Sequence, residues 1–339
     1  MKIYEDVDLS KVSYMKIGGK GQFLIEIEKD SEIKDLHKFS KEKNLPIVFL
    51  GEGSNTIFSD SYHKKIFTTF KQKDIVKTYE GEDFVNIKVS AGLNWDKLVE
   101  WSVNNELSGI ECLSSIPGSV GASPIQNIGA YGQEAKDTII NVEVYEFETG
   151  KFYELSSNDC IFSYRNSVFK ENIGKFAILN VSFRLSKNYP RSPTYKDLSL
   201  YFLSKQKKNP TLKEIREAVI KIRSEKLPDW KKEPNCGSFF QNPIITNDLA
   251  DELFKKFPDI PRYNAGEGKT KTSGGWLIEK SDLKGKEFNN IKIHPKSGLV
   301  LINTGKAKFK DLEKVIEKIN ETVYKKFKIE LKPEPNLIK

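Results

Sequence analysis

Between Ser115 and Gly132 the chain carries eighteen residues with four glycines, two prolines and two alanines (Ser115-Ile116-Pro117-Gly118-Ser119-Val120-Gly121-Ala122-Ser123-Pro124-Ile125-Gln126-Asn127-Ile128-Gly129-Ala130-Tyr131-Gly132). Two prolines exclude a continuous helix or a central strand, and the glycines make any regular element there entropically poor. Side chains this small bury little, so the rest of the chain must build the core that supports the segment. Such a backbone suits a flat or charged ligand, with the Gln126 and Asn127 amides able to read a heteroaromatic edge and Tyr131 offering a ring and a hydroxyl. A glycine-rich loop packed on its own domain is the alternative.

The flanking sequence is mixed α and β. Phe23–Ile27 reads as a strand, Asp30 and Ser31 open a helix with Ile33, Leu36 and Phe39 on one face, and Ile47–Leu50 is a second strand, together a β-α-β unit. Asn94 is placed to cap a helix bearing Trp95, Leu98, Val99 and Ser102. The stretch from about 140 to 185 is strand-rich, and Ala177, Leu179, Val181, Phe183 and Leu185 alternate with polar residues, as on one buried face. Thr211 to Glu214 forms a capping box ahead of Ile215, Val219 and Ile222. Leu299–Ile302 is a buried strand. Leu312, Val315, Ile316, Ile319 and Val323 line a late helix, and Pro333-Glu334-Pro335 cannot be helical. Lys187–Pro193 reads as an excursion loop and Leu227–Asn235 as a linker.

At 339 residues the chain has room for two or three domains. No apolar run approaches the ~18 residues that span a bilayer, and Met1–Lys11 lacks a signal-peptide core. Three scattered cysteines (Cys112, Cys160, Cys236) with no CxxC pair argue against a disulfide framework or a zinc site, so no metal is expected. A reducing cytoplasm fits. Net charge is +8, but only six of the 55 basic residues are arginine, and the lysines interleave with glutamate. That pattern is a solvated surface rather than a nucleic-acid face, which favours arginine forks. No nucleic-acid motif and no membrane segment is found.

A second glycine-rich turn, Leu50-Gly51-Glu52-Gly53-Ser54-Asn55, follows a strand. It lets backbone N–H groups approach a phosphate, yet it is neither GxGxxG nor a Walker loop, and alone it could be an ordinary tight turn. Arg165, in Phe162-Ser163-Tyr164-Arg165-Asn166-Ser167-Val168-Phe169-Lys170, could grip a planar carboxylate. Ser238, in Cys236-Gly237-Ser238-Phe239-Phe240-Gln241-Asn242-Pro243, has no neighbouring histidine to make it a nucleophile; a neutral hydroxyl there can instead donate a proton.

These segments together resemble the UDP-N-acetylenolpyruvoylglucosamine reductase (MurB) family. The two glycine loops match its L-G-x-G-S-N and I-P-G-x-V-G-A-x-P-x-Q-N-x-G-A-Y-G, in order. The Arg165 segment matches F-x-Y-R-x-S-x-F-K, the Ser238 segment A-G-S-F-F-x-N-P, and Glu334 the near-terminal P-E. Thr194-Tyr195-Lys196-Asp197-Leu198 resembles the tyrosine loop of the longer subtype, and Lys226 precedes Leu227-Pro228 where that family places a lysine. The resemblance runs from about Tyr14 to Glu334. Departures are Glu52, Cys236 and Gln241 where Gly, Ala and Lys are usual, and the stretch His294–Ser297. Glu52 adds negative charge near the expected pyrophosphate, and Cys236 suggests sensitivity to thiol reagents.

The resemblance implies an α+β, vanillyl-alcohol-oxidase-type FAD-binding fold with a separate α+β substrate-binding domain. Its expected division is 1–74 with 330–339, then 75–226 carrying the 187–201 tyrosine loop, then 227–329. It implies non-covalent FAD, residues 51–55 holding no histidine, with NADPH as hydride donor. The implied activity is reduction of UDP-N-acetylenolpyruvoylglucosamine to UDP-N-acetylmuramate for peptidoglycan synthesis, by a cytoplasmic monomer. Carried over residue by residue, Arg165, Ser238 and Glu334 are catalytic. Gly51, Gly53, Ser54, Asn55, Pro117, Gly118, Ser119, Gly121, Ala122, Gln126, Asn127 and Gly129 hold the cofactor. Tyr131, Tyr195, Lys226 and Asn242 meet the substrate. An oxidase of the same fold would share the two loops but has no need of Ser238, Glu334 and the Tyr195 loop together.

Overall fold

A computed structural model describes residues 1–188, 193 and 195–339. Thr194 and most of the excursion loop, with part of the expected 187–201 segment, lie outside the described residues. The chain forms two compact units. The first comprises Met1–Val7, Gly21–Glu52 and Lys64–Arg223; the second comprises Asp8–Lys20, Gly53–His63 and Ser224–Lys339.

The first unit holds a four-stranded and a five-stranded sheet, with a small two-stranded one at Gly129–Ala130 and Gln133–Glu134. In the four-stranded one the order is Lys2–Asp8, Lys20–Ile27, His63–Phe70, Ile47–Phe49. The expected β-α-β is therefore present with a guest: α1 (Ile33–Lys43) joins Lys20–Ile27 to Ile47–Phe49, and His63–Phe70 lies between them. Ile47–Phe49 runs parallel to that strand, with Phe49 opposite Thr68. Asp30 and Ser31 form a 3-10 turn ahead of the helix.

The second sheet runs Lys151–Ser156, Ile139–Glu146, Phe176–Ser186, Phe84–Ser90, Ile75–Glu80. Its central strand departs from the expected single alternation. Glu143 pairs with Asn180 and Val144 with Ile178, which leaves Leu179 bulged out of register. A one-residue bulge swaps the faces of a strand. Ala177 and Leu179 accordingly pack with Phe23, Ile25 and Leu36, while Ile178, Val181, Phe183 and Leu185 pack with Trp95, Leu98 and Val99. One strand thus serves two cores, and Asn180 and Ser182 are buried as well.

The helix α2 (Trp95–Asn104) is capped by Asn94, whose side chain accepts from Lys97 N, as expected. The short α3 (Val168–Glu171) is capped by Ser167. Next come α4 (Lys196–Ser204) and α5 (Leu212–Lys226). The capping box of α5 is formed, with Thr211 and Glu214 exchanging side-chain and backbone bonds.

In the second unit a four-stranded sheet orders Asn235–Ser238, Val300–Asn303, Ile291–Ile293, Glu287–Phe288. A three-stranded sheet (Ile244–Thr246, Lys269–Lys271, Tyr263–Asn264) accompanies α6 (Asn247–Lys256), followed by α7 (Gly274–Lys280). The long α8 (Phe309–Phe327) buries Phe309, Leu312, Val315, Ile319, Val323 and Phe327, the anticipated stripe extended by a phenylalanine at each end. The stripe packs with Met15, Ile17, Phe239, Phe240 and Leu277. Beyond Pro335 the chain adds Asn336–Ile338, parallel to Thr56–Phe58, a strand with no counterpart in the sequence reading.

Candidate active site

The first unit brings the two glycine-rich loops together. Leu50 N–H donates to Thr68 O at 2.8 Å, so the turn leaves the sheet at Gly51. A Cβ on Gly51 would lie 3.0 Å from Ser119 Oγ and 3.3 Å from Ala122 Cβ, and one on Gly121 2.6 Å from Ala91 Cβ. Glycine at these places is what allows the loops to lie this close. Glu52 spans the gap: Asn94 Nδ2 donates to Oε1 at 2.7 Å and Gly118 N–H donates to Oε2 at 3.1 Å. The carbonyl of Gly118 accepts from Trp95 N at 2.8 Å, and Gly121 N–H donates to Ala91 O at 2.9 Å. Beside the first loop, the hydroxyl of Thr68 is buried with no hydrogen-bond partner.

Further along the second loop, Asn127 is fully buried at φ +44°. Its amide donates to Glu134 (3.0 Å) and to the Ser163 carbonyl (3.2 Å), and its oxygen accepts Lys136 N at 3.0 Å. The side chain expected to read a ring edge is thus committed to organising the loop. Gln126, Pro117, Ser119 and Ala122 lie in the same segment, with Pro117 exposed and the others half-buried. Arg165 Nη2 donates to the Gly129 carbonyl at 2.8 Å, and Lys170 Nζ donates to the Arg165 carbonyl at 2.9 Å. Arg165 adopts φ +54°, an uncommon conformation for a non-glycine residue, here tied on both sides.

Tyr131 and Tyr195 meet edge to face, ring centroids 5.4 Å apart. Burial pushes the Tyr131 hydroxyl above its ordinary pKa, opposed by the nearby Arg223 guanidinium. Arg223 is itself lowered by burial, with Tyr131 and Asp96 pulling it back up. Arg216 on α5 grips Asp96 on α2, and Asp96 also accepts Ser115 N–H at 2.5 Å, at the start of the second loop. Burial alone would raise the Asp96 carboxyl; its bonds to Arg216 and Ser115 outweigh that and hold it below the usual range. Sequence reading passed over Asp96, Arg216 and Arg223. The scarcity of arginine was the available signal, since two of the six sit on one helix.

The second unit gathers the other expected residues. Gly53 sits at φ +74°, where a Cβ would run into the Val12 carbonyl oxygen. Its own carbonyl accepts Tyr14 N–H at 3.0 Å, and Tyr14 stacks on Trp230 with centroids 3.5 Å apart. Asn55 Nδ2 reaches the Glu334 carbonyl at 3.4 Å, and Asn336 N–H donates to Asn55 O at 2.9 Å. Ser54 is half-buried in the same turn. Ser238 is exposed at the end of a strand whose register shifts at Gly237, φ +68°. The next residues are locked: Phe239 and Phe240 are buried, Glu334 N–H donates to Phe239 O at 2.8 Å, and Gln241 N–H donates to Lys332 O at 3.0 Å. The segments that carry Ser238 and Glu334 are thereby paired through their backbones at Phe239–Gln241 and Lys332–Glu334.

Asn242 caps α7 by accepting Gly274 N–H at 3.0 Å, and Lys226 is exposed at the end of α5. Cys236 is half-buried, its thiol pushed up to about 12 by burial despite a bond with the Met15 backbone, a shift that opposes the expected reactivity toward thiol reagents. His294 accepts Ser297 N–H on Nδ1 at 3.1 Å, which closes the 294–297 turn, and burial lowers its pKa. A cavity of about 310 Å³ is lined by Asn247, Asp251, Arg262, Tyr263, Lys269 and Thr270. It lies outside the motifs that the sequence reading followed. Among the described residues no cluster of three or more His, Cys, Asp or Glu is placed to hold a metal ion.

Comparison with known proteins agrees with these features. Residues 229–338 match the family model "UDP-N-acetylenolpyruvoylglucosamine reductase, C-terminal domain", and residues 22–156 match "FAD binding domain". The chain is 36% identical to the UDP-N-acetylenolpyruvoylglucosamine reductase of Flavobacterium johnsoniae, covering all of both chains. It is 38% identical to that of Salmonella choleraesuis, over 92% of this chain and 90% of that one. Among solved structures, the UDP-N-acetylenolpyruvylglucosamine reductase from Thermus caldophilus shares the fold, with a TM-score of 0.67 at 22% identity, over 100% of this chain and 98% of that one.

Proposed function

The chain belongs to the UDP-N-acetylenolpyruvoylglucosamine reductase family, and on that premise we propose how its own residues carry the family's reaction. The protein is a FAD-containing, NADPH-dependent oxidoreductase that reduces UDP-N-acetylenolpyruvoylglucosamine to UDP-N-acetylmuramate in peptidoglycan precursor synthesis. Its fold is the α+β, vanillyl-alcohol-oxidase type of FAD-binding fold with an added C-terminal domain.

The residues present fit FAD. A side chain at Gly51, Gly53 or Gly121 would crowd Ser119, the Val12 carbonyl or Ala91, so the glycines keep the two loops' backbone close-packed and bare of side chains, as a backbone cradle for a dinucleotide requires. Backbone of Gly51, Gly53, Ser54 and Asn55, and of Pro117, Gly118, Ser119, Gly121 and Ala122, holds the cofactor. Gln126, Asn127 and Gly129 would complete the cofactor-binding set, Asn127 also shaping the loop through its bonds to Glu134, Ser163 and Lys136. FAD held there would supply C3 of the enolpyruvyl group with a hydride that originates from NADPH.

Negative charge then develops on the substrate carboxylate and C2. Arg165 stabilises that charge, its guanidinium oriented by the Gly129 carbonyl, and Glu334 acts with it. Ser238 donates the proton to C2. The observation that carries this assignment is the Glu334 N–H to Phe239 O bond, which ties the Glu334 backbone to the residue that follows the exposed Ser238. Tyr131, Tyr195, Lys226 and Asn242 contact the substrate, Lys226 as a point charge for phosphate. The cavity beside Tyr263, with Arg262 and Lys269 on its wall, has the chemistry to take the nucleotide end.

The division into 1–74 with 330–339, 75–226 and 227–329, the monomeric state, the cytoplasmic location and the absence of nucleic-acid partners belong to the same reading. No helix among the described residues is long and apolar enough to cross a membrane.

The test separates the half-reactions. Anaerobic NADPH should bleach the flavin of the Ser238→Ala variant at the wild-type rate. Reoxidation by UDP-N-acetylenolpyruvoylglucosamine should slow by about 10²- to 10⁴-fold. Equal slowing of both steps would remove Ser238 from the proton-donor role.

A further inference from the structure

We propose that Glu52 is a positioning residue for the cofactor, a carboxylate brace that joins the two glycine-rich loops and fixes the Gly118 peptide before FAD arrives. The inference rests on the FAD reading above and adds a role for a residue outside the catalytic set.

The geometry is specific. The two carboxylate oxygens of Glu52 take different donors, Asn94 Nδ2 at 2.7 Å on one and Gly118 N–H at 3.1 Å on the other. Asn94 is at the same time the cap of α2, its oxygen accepting Lys97 N at 3.0 Å. The peptide of Trp95 closes the circuit by donating to the Gly118 carbonyl at 2.8 Å. Gly118 is thus held at both ends of its own residue, its N–H by the first loop and its C=O by the helix. It needs that hold: it is buried at φ +123°, with no side chain of its own to fix it.

A glycine or alanine at position 52 would leave the Asn94 amide and the Gly118 amide without this acceptor, and the loops would be joined there by contact alone. Cofactor binding would then have to order the second loop, at a cost in affinity. The opposing effect is repulsion between the Glu52 charge and the cofactor's diphosphate. The carboxylate already accepts two N–H donors, which offsets that charge locally, and the brace dominates.

The test uses the deflavinated full-length protein and FAD titration by flavin fluorescence. Glu52→Gln keeps the size but has one oxygen for two donors, and its NH₂ faces one of them. FAD affinity should fall about ten- to a hundredfold. The double variant Glu52→Gln with Asn94→Asp reverses donor and acceptor between the two side chains. The amide introduced at position 52 keeps its oxygen for Gly118 N–H and turns its NH₂ to the carboxylate introduced at position 94. The second oxygen of that carboxylate still caps the helix. Affinity should return to within about threefold of wild type. A purely structural role would not produce that reciprocal rescue. Amide exchange of the deflavinated wild type supplies a readout that needs no variant: Gly118 N–H should be protected, and exchange at a free-loop rate would overturn the brace. Unchanged or tighter FAD binding by Glu52→Gln, or a double variant no better than the single, would overturn it too. A wild-type protein that FAD cannot reconstitute would instead sink the flavin assignment.

Discussion

Arg216 holds Asp96 with two hydrogen bonds, Nη1 to Oδ1 at 2.6 Å and Nη2 to Oδ2 at 2.9 Å. The same carboxylate receives the Ser115 amide, so a helix–helix ion pair is also the anchor of the second glycine-rich loop. Arg216→Ala leaves a half-buried carboxylate with two hydrogen bonds fewer, and should lower stability by about 1–2 kcal/mol. The sign of its pH dependence follows from the depressed Asp96 pKa. Stability from this group is present above the unfolded carboxylate pKa and is lost as pH falls through the folded value. The penalty of Arg216→Ala, read from denaturant midpoints, should therefore shrink in acid.

Asp30 behaves in the opposite sense. Burial raises its pKa, with the neighbouring Glu143 adding to the rise, while the Asn180 amide, at 2.9 Å from Asp30, and Lys88 oppose it. A carboxyl with a raised folded pKa contributes most below the unfolded pKa, and that contribution is lost as pH rises through the folded value. At about pH 7 the ionised Asp30 is a cost. Asp30→Asn should raise the melting temperature there by about a degree or two. The gain should disappear on acidification toward about pH 3–4, where Asp30 is protonated anyway; a gain that persists in acid would contradict this account.

Gly53→Ala addresses the first loop. At φ +74° an alanine is strained, and its Cβ would collide with Val12 O. Relief requires backbone movement in two segments. The variant should lose about 3 kcal/mol or more, or fail to fold, measured as urea midpoint against wild type.

Cys236 stands two residues from the proposed proton donor, so its position alone would make thiol reagents inhibitors. With its thiol pushed up to about 12 by burial, the thiolate fraction near neutral pH is very small. Alkylation by iodoacetamide at about pH 8 should be far slower than that of a free thiol of ordinary pKa. Activity should persist through it; rapid stoichiometric labelling of the folded protein would show that the pocket opens.

What the sequence disclosed follows a physical divide. Caps, boxes and the amphipathic stripe of α8 were readable because their causes lie within a few residues of each other. Asn94 reaches Lys97, Thr211 reaches Glu214, and Leu312 recurs as Val315 and Ile319. The long glycine loop pointed toward a flat or charged ligand because so many small residues in a row bury little by themselves. The bulge at Leu179 was hidden because nothing in an alternating string marks where a partner strand skips a residue. Asn127 looked like a recognition side chain, and only the fold reveals that Glu134, Lys136 and Ser163 already occupy it. Glu52 was visible as a charge in a phosphate-type loop, but its use depends on Asn94 and Gly118, far along the chain.

The parallel pairing of Asn336–Ile338 with Thr56–Phe58 sets a timetable for assembly. Asn55 and Glu334, which meet at its threshold, are 279 positions apart. A ribosome must therefore carry on from Asn55 through α2 to α8 before Gly53, Ser54 and Asn55 can be secured from the side of this last strand. Contacts of such long range are slow to form and costly in loop-closure entropy. Nascent chains should keep this half of the cofactor loop unsettled until synthesis reaches Ile338. Loss of residues 336–339, by clipping or a premature stop, should release a segment that was translated far upstream of the lesion.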